Sequence, residues 1–402
     1  MTSPILRFKS NNESNYPKWK EKNLWNLLTG IIDFRGRTPK KLGMDWSNNK
    51  SEYLALSAVN VKMGYIDYTA DPHYGDEALY HRWMDGKELY KGQVLFTTEA
   101  PMGNVTQIPD DRPYILSQRT IAFVPDKESI CDDFLACVLS SPVVQNDLKV
   151  LATGGTAQGI SQKSLSQLQI YYPSLPEQRK IATFLSTIDE IIATTEAEVS
   201  AWEECKKGVM QKLFSQKMRF KTDDGSDYPK WEEKKLDEVV EFLDGLRKPL
   251  EAGERIAGPY PYYGASGIID YVENYIFDEE LILLSEDGAN ILDRNYRVAF
   301  LAKGKYWVNN HAHVLKAIDG NVNNFICEQL ESFDYRKYNS GGAQPKLNQA
   351  TCRGILMQMP VVEEQQKIAD CLSSFDDVIN QTKAELAAWQ EFKKGLLQQM
   401  FV

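Results

Sequence analysis

Long uninterrupted apolar runs are missing from this chain of 402 residues, and no leader with a basic start, an apolar stretch and a small-residue cleavage site opens it. A membrane-spanning or secreted protein is therefore not expected, and a cytoplasmic one is. Histidine is scarce at four residues, and the six cysteines (Cys131, Cys137, Cys205, Cys327, Cys352 and Cys371) form no CxxC pair and no His-flanked cluster. That pattern argues against structural zinc and points to a reduced protein. No GxxxxGK(S/T) phosphate loop occurs, and no Pro-Pro dipeptide on which an Asn/Asp-Pro-Pro-aromatic methyl-transfer signature could be built. Glu286 and Asp287 adjoin in EDGANILDR (Glu286 to Arg294), but turn chemistry accounts for them and nothing nearby completes an acid/base pair. No reaction centre is expected.

Positive charge is also short. The net charge is −10, which argues against an indiscriminately basic nucleic-acid binder. Half of that excess lies on two segments, 176–214 and 363–401, so the remainder is closer to neutral and has room for local basic surfaces. With 43% apolar and 25% charged residues the chain can bury real cores, and its length suggests two to three domains.

What is present is duplication. The segment Pro176 to Phe214 returns at an offset of 187 as Glu363 to Phe401, matching Gln178 to Gln365, Asp189 to Asp376, Trp202 to Trp389 and Gly208 to Gly395. A second repeat sets RFKSNNESNYPKWKEKNL (Arg7 to Leu24) against RFKTDDGSDYPKWEEKKL (Arg219 to Leu236) at an offset of 212. The two offsets add to 399 in a chain of 402, so the segment expected after the second helix stands at the N-terminus. The chain reads as two pseudo-equivalent halves of a circle opened once. A pseudo-dyad of this kind suits two-fold partners or a bipartite target.

Within the first long repeat, apolar residues fall at Ile181, Leu185, Ile188, Ile192, Val199, Trp202, Val209 and Leu213, with Thr195 and Lys206 filling the gaps. The second gives Ile368, Leu372, Phe375, Ile379, Thr382, Leu386, Trp389, Lys393, Leu396 and Met400. Alternating steps of four and three are the seam of a coiled coil, and 39 residues at ~1.5 Å each make a helix of about 58 Å. The competing reading is a pair of amphipathic helices, each packed on its own domain. A pseudo-dyad requires the pair to be antiparallel. One register with nearly full overlap joins residues whose numbers add to 581, setting Trp202 on Ile379 and Trp389 on Ile192.

Residues 25 to about 172 and 237 to about 359 differ in content while their flanks repeat, as expected of one scaffold carrying two specificities. Each closes on a Gly-Gly loop, GGTAQGISQK (Gly154 to Lys163) and GGAQPKLNQ (Gly341 to Gln349). Gln158, Lys163 and Lys346 could hold a phosphate there beside a helix start; alternatively Ser161 and Asn348 are simply N-caps. Arg35 and Arg247 match at the offset of 212. The first lies in FRGRTPKK (Phe34 to Lys41), where Arg35, Arg37, Lys40 and Lys41 stand with no acid, and the second is followed by Lys248. Loops of this type can present charge to a phosphate backbone or a guanine edge, or lie solvated on a surface. Gln118, Arg119 and Arg112 in the first segment, and Arg294, Asn309, Asn310, His311 and His313 in the second, are further candidates, with a structural role as the alternative for each.

These residues resemble the specificity subunits of type I restriction-modification systems. The likeness rests on PEQRKIA and EEQQKIA opening helices that end in KKGVMQKLF and KKGLLQQMF, on the RF…DYPKW boundary, and on SEDGAN and KYWVNNHAHVL in the second variable segment. The resemblance implies an α+β fold with target-recognition domains at 1–172 and 215–359, each reading half of a split DNA sequence. The antiparallel coiled-coil helices at 173–214 and 360–402 would hold them apart. It further implies assembly with two methyltransferase subunits that use S-adenosylmethionine and with restriction subunits that use ATP and Mg, this chain binding no cofactor itself. A scaffold with two protein-binding domains is the alternative, and it would confer no salt-dependent DNA affinity.

Overall fold

Strands form where the sequence runs continuously apolar and β-branched. In the computed structural model, which describes residues 4–10, 12–50, 52–155 and 158–402, Val94–Thr97 and Leu281–Ser285 are such runs, and every residue in them is buried. The chain divides into two compact units, Met1–Thr194 with Glu385–Val402, and Thr195–Ala384. Each unit therefore includes part of the central helix Leu175–Phe214 and part of the C-terminal helix Val362–Met400. Among the described residues no helix is long and apolar enough to cross a membrane.

The first unit carries an antiparallel sheet in the order Leu28–Asp33, Thr120–Pro125, Val94–Thr97, Val105–Gln107. The second repeats it as Val240–Phe242, Ala312–Ala317, Leu281–Ser285, Ala299–Ala302. A further pair of strands is parallel in both units: Tyr53–Leu56 with Ile115–Leu116, and Ala257–Gly264 with Lys305–Val308. A helix contributes to each core, Asp132–Ser140 through Phe134, Leu135, Val138 and Leu139, and Asn323–Glu331 through Phe325, Ile326 and Leu330. Sequences that differ thus build one topology twice, because both keep a buried central strand.

The short repeat has a physical reason. Glu177 and Glu364 open the long helices and are fully buried, where an unpaired carboxylate would be costly. Arg7 grips Glu177 through Nε and Nη2 at 2.9 and 2.7 Å, and Arg219 grips Glu364 at 3.1 and 2.6 Å. Trp19 and Trp231 add indole donors at 3.4 and 3.0 Å. The helix N-terminus favours the same negative charge. Next to each glutamate, Gln178 and Gln365 accept from the backbone N–H of Cys131 and Val322 and donate to the carbonyls of Pro173 and Pro360. The repeated Arg, Trp, Glu and Gln lock the start of each helix to its domain.

Along the seam, Ile181, Leu185 and Ile188 share a core with Leu396, Met400 and Phe401, flanked by Ile192 and Trp389. In the second unit Ile368 and Leu372 join Leu213. These clusters also contain domain residues such as Phe134 and Phe325, so the helices pack on their own domains and on each other at once. The lysine interruptions are ion pairs: Lys206 Nζ meets both Asp376 oxygens at 2.7 and 2.8 Å, and Lys393 meets Asp189. Both pairs join residues whose numbers add to 582, one away from the register of 581 drawn from the heptads. Trp202 departs from that register. Its ring lies edge-on to Phe375 at 6.2 Å, not on Ile379, and remains 40% exposed, because a long indole leans over the neighbouring turn.

Candidate nucleic-acid interface

In each unit an aspartate at or just after the end of the first sheet strand, Asp33 or Asp244, lies beside an arginine of the following turn. Asp33 takes Arg35 through Nε at 2.9 and 3.0 Å and Nη2 at 2.6 Å, while Arg35 Nη1 reaches Thr98 Oγ1 at 3.1 Å. In the second unit Arg247 Nη1 donates to Glu286 at 2.7 Å and to the Ala312 carbonyl at 2.8 Å, and Asp244 lies 3.4 Å from Nη2. Gln162 Nε2 then donates to Asp33 at 2.6 Å, and Gln349 Nε2 to Asp244 at 2.7 Å. These glutamines are the first helical residues after Ser161 and Asn348, which cap through bonds from Ser164 and Thr351 N–H at 3.0 and 2.8 Å. Burial pushes both aspartates up, but their hydrogen bonds and charge partners, Arg35 for one and His313 with Arg247 for the other, hold them below the usual range.

This geometry turns both guanidinium groups back onto the protein. Arg35 and Arg247 keep 29% and 13% side-chain exposure, because Asp33, two residues away, and Glu286, in a separate loop, have taken the charge that the sequence suggested was aimed at solvent. Others are held likewise. Arg37 lies 4.1 Å over the Phe34 ring and bonds the Trp83 carbonyl. Arg112 pairs with Asp110 and Arg294 with Glu331, and Lys41 Nζ donates to the Gly36 carbonyl at 2.8 Å. Asn309 is buried and accepts from His311 N–H at 2.8 Å. His313 is 1% exposed, with Nδ1 2.7 Å from Asp244 and Nε2 2.7 Å from the Leu347 carbonyl. Two acceptors require two donors, so the ring is an imidazolium. Burial opposes that charge, yet Asp244 and the Cys352 contact lift its pKa to about 10.

The surface left over forms one face of each unit. In the first, exposed Gln118 and Arg119 precede the strand Thr120–Pro125, and with Trp46, Ser57, Val59 and His73 they line a hollow of about 240 Å³. Beside it a second hollow of about 280 Å³ is lined by Arg35, Thr98, Glu99, Gly159 and Ser161. A bridge from Glu99 to Gly159 draws the Gly-Gly loop in; Thr156 and Ala157 of that loop lie outside the described residues. In the second unit Asn310 and His311 take the same place before Ala312–Ala317, and a bridge from Asp287 to Lys346 draws in the other Gly-Gly loop. His311 Nδ1 lies 2.9 Å from Asp287, and Lys346 Nζ lies 3.4 Å from Glu286. Among the described residues, the exposed side chains of Lys40, Gln118, Gln158, Lys163, Lys248 and Asn310 bond to nothing in the protein. Cations and amides available to a partner therefore occur in both units.

Sequence reading missed the aspartate and glutamine of each anchor. Gln162 and Gln349 differ by the same 187 as the long repeats, which is the signal that could have found them.

The family model for the type I restriction modification DNA specificity domain matches residues 18–201 and again 228–388. A Haemophilus influenzae protein assigned as a type I restriction enzyme specificity subunit is 36% identical over 141 residues, which span 35% of this chain and 36% of that one. A Methanocaldococcus jannaschii protein assigned as the MjaX specificity subunit is 25% identical across 94% of this chain and 92% of its own. The crystal structure of a type I restriction-modification S subunit from M. genitalium superposes with a TM-score of 0.64 at 19% identity, covering 100% of this chain and 99% of the other, and so shares the fold.

Proposed function

Because the chain belongs to the type I restriction-modification DNA specificity family, whose subunits are non-catalytic, we propose that each unit reads one half of a bipartite duplex site through the face just described. Gln118 and Arg119 in one unit, and Asn310 and His311 in the other, are the base readers. Lys40, Lys41, Lys163, Lys248 and Lys346 meet phosphates, and Arg35, Arg37, Arg247 and Arg294 hold the loops that present them. The long helices set the distance between half-sites and dock two methyltransferase subunits. S-adenosylmethionine, and the ATP and Mg of restriction subunits, are bound by those partners in the cytoplasm. The observation that carries the reading is the twin anchor, Asp33–Arg35–Gln162 and Asp244–Arg247–Gln349, which places an exposed amide-bearing turn at the same point of two otherwise different domains.

With a net charge of −10, most phosphate neutralisation must come from the partner subunits. The test is to exchange residues 25–172 for the matching segment of another family member and map genomic methylation. One half of the methylated motif changes and the other stays. A change in both halves, or an assembled complex whose DNA affinity ignores salt, refutes the proposal.

A further inference from the structure

The second unit carries a hairpin, Ala257–Gly264 and Gly267–Val272, that turns through Ala265 and Ser266. Two bonds tie its tip to the candidate interface: Asn309 N–H donates to the Tyr263 carbonyl at 3.0 Å, and Ser285 Oγ donates to the carbonyl of Ala265. Asn309 leads directly into exposed Asn310 and His311. The first unit is wired in the same way, with Ser117 N–H donating to the Leu56 carbonyl at 2.9 Å and Ser57 and Val59 lining a hollow with Gln118 and Arg119. The hairpin tip of the second unit therefore lies beside its readers, as the turn after Leu56 lies beside those of the first.

Among the described residues, the second tip carries two adjacent exposed isoleucines where the first unit has Val59 alone beside its readers. Ile268 is 46% exposed and Ile269 is 51% exposed. Tyr262 pairs with Asp270 and Tyr263 with Ile268, so Ile269 is the extra residue of a β-bulge and the alternation of faces is broken there; Ile269 lies beside Asn309, since a Cβ added to Gly264 would lie 3.1 Å from Ile269 Cγ2 and 3.4 Å from Asn309 Nδ2. Between Ala257 and Val272 the only carboxylate is Asp270, and Arg255 Nη1 stands 3.5 Å from it. Lys248 flanks the same strand pair, its carbonyl accepting from Trp307 Nε1 at 2.6 Å while its ammonium is free. The carboxylate within the hairpin is thus compensated, and exposed Glu273 lies just past Val272, at the end of the strand pair away from the tip. An isoleucine held among amides on a DNA-reading face has one apolar complement on the base edges of the major groove, the C5-methyl of thymine.

We propose that Ile269, supported by Ile268, reads a thymine methyl group in the half-site of the second unit. The proposal rests on the DNA-reading function above. The test uses the full chain assembled with its methyltransferase subunits and a duplex carrying the site found by methylation mapping. Each thymine of that half-site is replaced in turn by deoxyuridine, and Kd is measured for the wild type and for Ile269→Ser, Ile268→Ser and Ile269→Leu.

One uracil position should weaken the wild-type complex about fourfold, the value of one buried methyl group. Ile269→Ser should be blind to that substitution, and Ile269→Leu should retain part of the sensitivity. The side chains are exposed, so melting temperatures should stay unchanged. The proposal is overturned if no uracil position affects the wild type, if both serine variants keep its full sensitivity, or if they lose methyltransferase assembly instead, which would make the hairpin a protein contact. A wild-type complex that cannot tell its site from scrambled duplex refutes the DNA-reading function itself, which separates the two failures.

Discussion

Replacing Arg219 by methionine leaves Glu364 fully buried with only the Trp231 indole at 3.0 Å, while the two guanidinium bonds at 3.1 and 2.6 Å vanish. Removing one partner of a buried pair costs about 3–5 kcal/mol, mostly because the other charge is stranded. The second unit spans 195–384, a size at which each kcal/mol moves Tm by roughly 2–4 °C, so its transition should fall by roughly 6–20 °C. Adding Glu364→Gln should recover much of the loss, since a neutral amide needs no counter-charge. The repeat supplies a control: Arg7→Met should move the transition of the first unit by a similar amount, because Glu177 is equally buried. Calorimetry with urea titration followed by tryptophan fluorescence would measure both. A loss below about 1 kcal/mol, or a double variant no better than Arg219→Met alone, would refute the reasoning, since that is what an exposed pair gives.

His313 should make stability fall at high pH. Its folded pKa is raised, so its contribution is complete below about 6.5 and disappears as pH climbs through about 10; the wild-type Tm should drop across that window while His313→Gln, which cannot titrate, starts lower and stays flatter. For DNA binding, Gln118→Ala should relax one position of one half-site by about 1–3 kcal/mol, whereas Lys163→Ala should weaken all sites alike and reduce the salt slope by roughly one, as a competition series at several salt concentrations would show. Matched seven-residue insertions after Thr195 and Thr382 should keep the seam in phase, add about 10 Å to each helix and lengthen the unread spacer by up to about three base pairs. Methylation mapping decides that prediction, and an active complex with the original spacer defeats it.

Local periodicity made much of this molecule legible in advance. The steps of four and three along Ile181 to Leu213 and Ile368 to Met400 identify both helices, because an α-helix writes its buried face into short spacings. Register was harder. Apolar residues tolerate neighbouring offsets almost equally, and the distinguishing information lay in the polar interruptions: Lys206 and Lys393 seek Asp376 and Asp189, a complementarity visible only once the helices are paired. The residues proposed to face DNA were legible as a set of loops, while the partners of each side chain were not. Arg35 and Arg247 look outward-facing in a string of letters because the carboxylates that bond them, Asp33 and Glu286, stand at strand ends whose direction the sequence does not display. His313 looked like a reader for the same reason, its two acceptors standing 69 and 34 residues away.

One consequence follows from where each variable segment starts and finishes. Lys20–Asn23 pairs antiparallel with Gln169–Tyr172, and Glu232–Lys235 with Leu356–Met359, so the first and last residues of each segment are hydrogen-bonded neighbours. A polypeptide whose two ends meet at a sealed neck behaves like a bag on a drawstring. Its contents can be exchanged without moving the cord, provided that the helix turned toward the seam keeps the contacts that Phe134 and Phe325 make with the long helices. Gene exchanges that break and rejoin within the repeated flanks would deliver such a bag whole, so domains that keep those contacts combine into new pairs of half-sites.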